Sequence, residues 1–230
     1  MKKTITIIVI IGAIVTLATL GTWQVQRLTW KKEIIENLDA EYQKDPVENT
    51  YNIDQLKALA NEKQPILFGS VKGRFLKNKE IFLKPKTLEG KVGAHIIQAY
   101  ALNNKGTILV NRGWIIEEDI QDYRAQTSKN QRITGIFRKP EWNKFTSNNR
   151  ADLNIWTKPD IKEIAEYLNI NDVAPIMLYA TQIENNGNLI LQDAKWYPRN
   201  KHIQYAIFWY GMIFVLIILL LSVYRQRKIN

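Results

Sequence analysis

Only two histidines occur in the 230 residues, and one of them, His202, stands where charged sequence gives way to an apolar run in "RNKHIQYAIFWYGMIFVLIILLL" (199–221). On a helix His202, Tyr205 and Trp209 have i, i+3, i+7 spacing and share one face. Near the N-terminus Trp23, Arg27 and Trp30 have i, i+4, i+7 spacing, and Gln24, Arg27 and Lys31 have i, i+3, i+7 spacing. Two such helices side by side offer an aromatic-walled niche with an imidazole on one side and a guanidinium on the other. That inventory suits a haem: imidazole ligates iron, flat rings pack on the macrocycle, and Arg pairs with propionates. It also describes an ordinary interfacial belt, in which Trp and Tyr anchor the helices, Arg27 snorkels and His202 hydrogen-bonds nearby backbone. Residue types alone leave both readings open.

The elements that would carry this niche are two uncharged runs. From Thr4 to Val25 there is no charge, and "ITIIVIIGAIVTLATLG" suffices for a hydrocarbon layer that takes roughly 20 helical residues. A signal peptide has a similar layout, with Lys2 and Lys3 as a basic n-region and Thr16-Leu17-Ala18 as a cleavage site. The length of the run favours a span. The second run, Tyr205 to Tyr224, is edged by Trp209 and Tyr210 at one end and Tyr224 at the other, as two headgroup levels require. The expected organisation is a tail at 1–4, a transmembrane helix at 5–25, an extramembrane domain at 26–202, a second transmembrane helix at 203–224 and a basic tail at 225–230. Two spans put both termini on one side, and Lys2, Lys3, Arg225, Arg227 and Lys228 favour the cytoplasmic side. The domain then lies outside, in the periplasm of a bacterium.

The net charge is +10, but six of these charges sit on Lys2, Lys3, Arg27, Arg225, Arg227 and Lys228, at or near the ends of the chain. The middle is mildly basic with Asp and Glu interspersed, which gives no stripe able to track phosphates and argues against nucleic acid as a partner. Without cysteine there is no disulfide, thiolate metal site or thiol nucleophile.

The middle reads as α+β. "WKKEIIENLDAEYQK" places Ile34, Leu38 and Tyr42 at helical spacing and continues the first span as a surface helix. "NIDQLKALANE" has Asn52 as cap, Gln55 at the capping-box position, and Ile53, Leu56, Leu59 and Ala60 on one face. "TKPDIKEIAEYL" predicts a third helix with Pro159 in its first turn and Ile161, Ile164, Ala165 and Leu168 as its buried stripe. Strand-like runs are "ILFGSVKGRF", "EIFLKPK", "GAHIIQAYAL", "GTILVNRGWII", "RITGIFRKP", "APIMLYATQI" and "NLILQDAKW", separated by turns such as "EGKVG", "NNKG" and "ENNGN". The expected fold is therefore two transmembrane α-helices flanking an α+β extramembrane domain with a mostly antiparallel sheet that curls toward a barrel. Val71-x-Gly73-x-Phe75 and Ile133-x-Gly135-x-Phe137 share a pattern in which each glycine marks a bulge or a close backbone approach.

No catalytic layout is present: neither Gly-x-Ser-x-Gly, His-Glu-x-x-His nor a P-loop occurs, and the chain reads as a non-enzyme. His95, in "GAHIIQAYAL", reads as a half-buried histidine hydrogen-bonded within the sheet. "NRGW" (111–114) ends a hydrophobic strand and reads as a bulge closed over by Trp114.

"GTWQVQRLTWKKEIIENL" (21–38), "NRGW" (111–114), "FTSNNRADLNIWTKPDI" (145–161) and "RNKHIQYAIFWYG" (199–211) resemble, in order, the signature blocks of the Surfeit locus protein family. The resemblance spans essentially the whole chain. It implies a two-span assembly factor for haem-copper oxidases of the cytochrome c oxidase type, taking part in delivery or retention of haem a during maturation of the catalytic subunit. By that carry-over His202 is the axial ligand of the haem iron, and Trp23, Gln24 and Arg27 with Tyr205 and Trp209 complete the cofactor site. Asn111, Arg112, Gly113 and Trp114, and Asn149, Asn154 and Trp156, match blocks without assigned chemistry. Thr157 departs from the pattern, which has an aromatic or histidine after Trp156. The implied partners are the oxidase catalytic subunit, the haem A-synthesising enzyme and the lipid bilayer. The expected location is the bacterial cytoplasmic membrane, since the sequence shows no Arg- and Ser-rich transit peptide before the span, with the mitochondrial inner membrane as its eukaryotic equivalent. A scaffold that stabilises an oxidase subunit without touching haem is the alternative.

Overall fold

The structure is a computed structural model and describes residues 2–62, 66–123, 129–184, 186–191, 193 and 195–229. It comprises two compact units, 1–37 with 197–230, and 38–196. The first contains most of helix α1 (Lys2–Tyr42) and all of α4 (His202–Ile229). Both are long and apolar enough to cross a membrane, and their most apolar windows are almost unburied by protein. An apolar helix left uncovered needs lipid around it, which accounts for two transmembrane helices flanking an extramembrane domain. Each helix continues past the limits that the uncharged runs define, because nothing in "QRLTWKKEIIENLDAEY" or "RQRKI" breaks a helix.

The second unit is built on five strands: β1 (Ile66–Leu88), β2 (Lys91–Leu102), β3 (Thr107–Ile116), β4 (Gln131–Arg138) and β5 (Val173–Ile183). They close into a barrel in the order β1-β2-β3-β5-β4. All pairs are antiparallel except β3 with β5. Closure leaves the ring without a free edge.

Seven strand-like runs reduce to five strands for two reasons. "ILFGSVKGRF" and "EIFLKPK" are halves of one 23-residue strand. Its first half pairs with β4 and its second with β2, and the register breaks between Phe75 and Glu80, where Asn78 takes φ 54°. The run "NLILQDAKW" forms no strand among the described residues; Ile190 makes a single antiparallel bridge to Trp114, and Gln192 and Ala194 lie outside the described residues.

One buried cluster draws on all five strands, with Val71, Tyr100, Val110, Phe137 and Leu178 among its members, and so fills the inside of the ring. Helix α2 (Ile53–Leu59) plugs it with Ile53, Leu56 and Leu59. The predicted capping box is present: Asn52 Oδ1 accepts from Gln55 N and Gln55 Oε1 accepts from Asn52 N, both at 2.9 Å. A second cluster, with Ile81, Leu83, Ile97, Leu109, Met177 and Tyr179, packs under Trp156 and under Ile164 and Leu168 at helix α3 (Ile161–Tyr167). These strand residues alternate with the inner ones and therefore face outward. The cap of α3 is Asp160, whose carboxylate accepts from Lys162 N at 2.9 Å. Pro159 thus precedes the cap rather than entering the first turn, because the carboxylate is the better acceptor for the free N–H groups.

The paired glycines do mark close approaches: a Cβ on Gly73 would lie 1.9 Å from the Ala101 carbonyl oxygen, and one on Gly135 2.2 Å from that of Tyr179. The sharpest constraint is Gly113, with φ +124° and a would-be Cβ 2.4 Å from the Ile190 oxygen. Gly113→Ala should cost at least about 2 kcal/mol of stability, by left-handed strain plus a clash with backbone. Gly90→Ala, at φ +80° with nothing within 4 Å, should cost about 1 kcal/mol. Denaturation of the full-length protein in detergent compares the two.

Candidate functional site

In the helical unit α1 and α4 meet along a seam of small and polar residues. Gly21 packs on the Tyr210 ring, to which a Cβ at position 21 would come within 2.9 Å, and Ala206 is buried. Small residues at such a seam let two apolar helices approach in lipid, where no hydrophobic force drives them together. Thr22 Oγ1 and Tyr210 Oη lie 3.2 Å apart, and Lys31 Nζ donates to the Arg199 carbonyl at 3.1 Å.

One turn along the seam, Gln24 and His202 meet. Gln24 is 9% exposed, and its Oε1 lies 2.7 Å from His202 Nδ1. With the amide oxygen accepting, this bond belongs to the tautomer that carries its proton on Nδ1, which has its lone pair on Nε2. The Trp23 ring stands edge-on to the imidazole, at 6.4 Å between centroids. A groove of about 520 Å³, lined by Val15, Ala18, Thr19, Thr22, Trp23 and Gln26, runs beside it.

The six candidate residues are not all drawn together. Gln24, Trp23 and His202 are in contact. Arg27 turns its guanidinium onto the Trp30 ring, 4.2 Å from the centroid, and its buried Nε has no hydrogen-bond partner. Trp209 packs edge-on against Phe208, and its buried Nε1 also lacks an acceptor. Tyr205 is 52% exposed. This donor set fits a haem: one imidazole nitrogen with a free lone pair, one incompletely satisfied guanidinium for a carboxylate, and indole walls.

In the barrel unit the "NRGW" block is a bulge, as its sequence suggests. His95 pairs with Trp114 and Ile97 with Asn111, so Arg112 and Gly113 together oppose Ile96. Asn111 Oδ1 accepts from Gly113 N at 3.0 Å and holds the kink. Trp114 lies over Gly93 and donates from Nε1 to the Lys86 carbonyl at 3.1 Å.

Arg112 turns inward and is 1% exposed, with its guanidinium carbon 4.4 Å from the Phe75 centroid. Its Nη1 donates to Gln98 Oε1 at 2.8 Å and to Tyr123 Oη at 3.1 Å, and its Nη2 to Asn186 Oδ1 at 3.3 Å. Glu80 lies near enough to oppose the downward pull of burial on the guanidinium, while burial pushes the Glu80 carboxyl upward. The strand pattern gives no sign of this buried cation. The only available signal was an Arg at an inward parity within an otherwise apolar strand.

The late block folds a loop onto the barrel. Asn149 Oδ1 accepts from Thr157 N and Lys158 N at 2.9 and 2.8 Å, and its Nδ2 donates to Lys158 O and Glu163 Oε2. Asn154, in the left-handed region, accepts from Trp156 Nε1 at 2.9 Å, which lets a wholly buried indole keep a partner. Thr157 hydrogen-bonds the Ser147 carbonyl at 2.6 Å, so the residue that departs from the pattern still closes the loop. His95 is half-buried as read, with the Gly113 backbone and the Asn111 side chain of the neighbouring strand as hydrogen-bonding neighbours.

A closed five-stranded barrel, preceded and followed in the chain by a helix fit to span a membrane, defines the class of this molecule: a membrane-anchored barrel protein. The model of the SURF1 family matches residues 11–214, and the chain belongs to that family. It is 29% identical to Surfeit locus protein 1 of Xenopus tropicalis, over 84% of this chain and 67% of that protein. To Surfeit locus protein 1 of Mus musculus it is 30% identical over 84% and 67% of the two chains, and to that of Homo sapiens 29% over 86% and 70%.

Arg112→Met should destabilise the barrel by about 3 kcal/mol or more, because Gln98 and Asn186 lose their donor and Glu80 its nearby cation. Arg112→Lys should recover less than half, since one ammonium cannot span three acceptors. Chemical denaturation of the full-length variants measures both.

Proposed function

We propose that the protein is an assembly factor for haem-copper cytochrome c oxidase that holds haem a transiently between its two spans and hands it to the oxidase catalytic subunit. The observation that carries this reading is the contact between Gln24 and His202 at 2.7 Å. It supports an imidazole whose Nδ1 is held by Gln24 and whose Nε2 would ligate the iron, in the manner in which metal-binding histidines are set by the partner of their other nitrogen. The haem would supply the iron that receives that nitrogen. Arg27, whose Nε is unsatisfied, would pair with a propionate, and Trp23, Tyr205 and Trp209 would wall the macrocycle. Gln24 is a neutral acceptor, so it orients the imidazole without adding the basicity a carboxylate would give. A single neutral ligand of this kind suits retention followed by release. The protein acts by binding and hand-over, with no bond made or broken in a substrate.

The basic ends of the sequence support a cytoplasmic location for both termini, and a domain this long crosses regardless of its charge. We accordingly place the barrel on the outer side of the inner membrane, the periplasm in a bacterium. The haem A-synthesising enzyme is the natural donor and the oxidase catalytic subunit the recipient.

The test is an absorption spectrum with pyridine haemochrome analysis of full-length protein purified in detergent from cells that make haem a. The parent should carry haem a, His202→Ala should lose it, and Gln24→Ala should bind it about tenfold more weakly. An unchanged spectrum in His202→Ala would remove that residue as ligand. Haem-free parent protein that still copurifies with an oxidase subunit would make the chain a scaffold, with the Gln24 bond serving only to join the helices.

A further inference from the structure

A cleft of about 390 Å³ opens on the outer face of the barrel, within the second unit and apart from the helical niche. Lys86, His95, Asn111, Arg138, Glu141 and Tyr179 contribute to its lining. Its cations outnumber its carboxylate and are not paired: among the described residues neither Lys86 nor Arg138 stands in an ion pair, and those that are made lie elsewhere. Arg138 is held rigidly, its guanidinium carbon 3.8 Å from the Tyr179 centroid and 4.6 Å from that of Trp196. Rings that engage the faces of a guanidinium leave its N–H donors at the edge, the geometry that grips a planar anion. Lys86 is partly dehydrated, and burial pulls its ammonium below the ordinary lysine value. An anion arriving there relieves that cost.

His95, beside the Gly113 backbone and the Asn111 side chain, lies at the same cleft. Burial holds this imidazole below its usual value and the charges of Lys86 and Arg138 act in the same direction, against the opposing hydrogen bonds to the Gly113 backbone and Asn111, so both cations are near the ring. Two cations facing the single carboxylate of Glu141 leave one net positive charge, which matches a monoanion and not a phosphate dianion. Leu83, Ile97 and Met177 supply an apolar wall.

We propose that this cleft binds a carboxylate carried on a small apolar body, clamped between Arg138 and Lys86. Asn111 and Thr157, each already fixed by hydrogen bonds to its own block, also line the cleft, so the two blocks that shape the barrel also build this surface. The carboxylate could come from the C-terminus of a polypeptide or from a free organic acid, and the chemistry is shared. The inference does not rest on haem binding.

The test is calorimetric titration of the full-length protein in detergent with N-acetyl-alanyl-leucine as free acid, its C-terminal amide, and hexanoate. The free acid should bind at least tenfold more tightly than the amide. Lys86→Gln should weaken it about tenfold, and Glu141→Gln should tighten it several-fold, with unfolding temperatures of both variants close to the parent. Peptide acid above hexanoate identifies a chain terminus as the occupant, and the reverse order a free acid. Equal binding of acid and amide, no binding of either acid at about 10 mM, or unchanged affinity in a well-folded Lys86→Gln would overturn the proposal.

Discussion

The barrel depends on one extra residue in its third strand. Strict alternation along "ILVNRGWII" would turn Trp114 inward and Ile115 outward. Because Arg112 and Gly113 share one position opposite Ile96, the parity is reset after Arg112: Arg112 keeps its inward place, Trp114 covers Gly93 outside, and Ile115 joins Ala94 and Ile96 in the core. Only glycine accepts the φ of +124° with a neighbouring backbone oxygen so close. The Asn111 side chain then satisfies the amide that the kink exposes. Four consecutive residues thus have four separate physical duties, which is why the block reads as unspecific chemistry and yet is demanding structure.

The helical unit uses a different economy. Gly21 and Ala206 bring α1 and α4 close enough for one side-chain pair, Gln24 with His202, to bond across the seam. A polar pair packed at a helix seam is shielded from water, so this bond both joins the helices and orients the ring. The cost of burying a polar pair at a helix seam is offset only when each member finds its partner, as these two do.

Local sequence revealed the elements whose signals lie within them: both spans from their uncharged runs, the Asn52 to Gln55 capping box from its residue types, and the stripe of Ile164 and Leu168 from its helical repeat. It also revealed the bulge at Gly113, because glycine between a charge and an aromatic at a strand end has few other uses. What it could not reveal depended on partners distant in sequence. The fusion of two runs into β1 requires β4 and β2 to pair with successive halves of one strand. The single bridge at Ile190 is what remains of a run that looked like a strand, since β5 already takes the neighbouring stretch of β3. At the helical niche, spacing placed His202, Tyr205 and Trp209 on a common face but could not tell that Gln24, not Arg27, would meet the imidazole. That choice belongs to the packing angle of two helices 178 residues apart at their point of contact.

The order of strands around the ring also bears on how the chain is made. The strand that lies between β3 and β4 is β5, the last to be synthesised. Until Val173–Ile183 leaves the ribosome, β3 and β4 each present an open edge, and two runs as apolar as "TILV" and "RITGIF" remain exposed beside them. A chain stopped before residue 183 is therefore left with a gap in its sheet rather than a smaller barrel, open to pairing with any extended segment nearby.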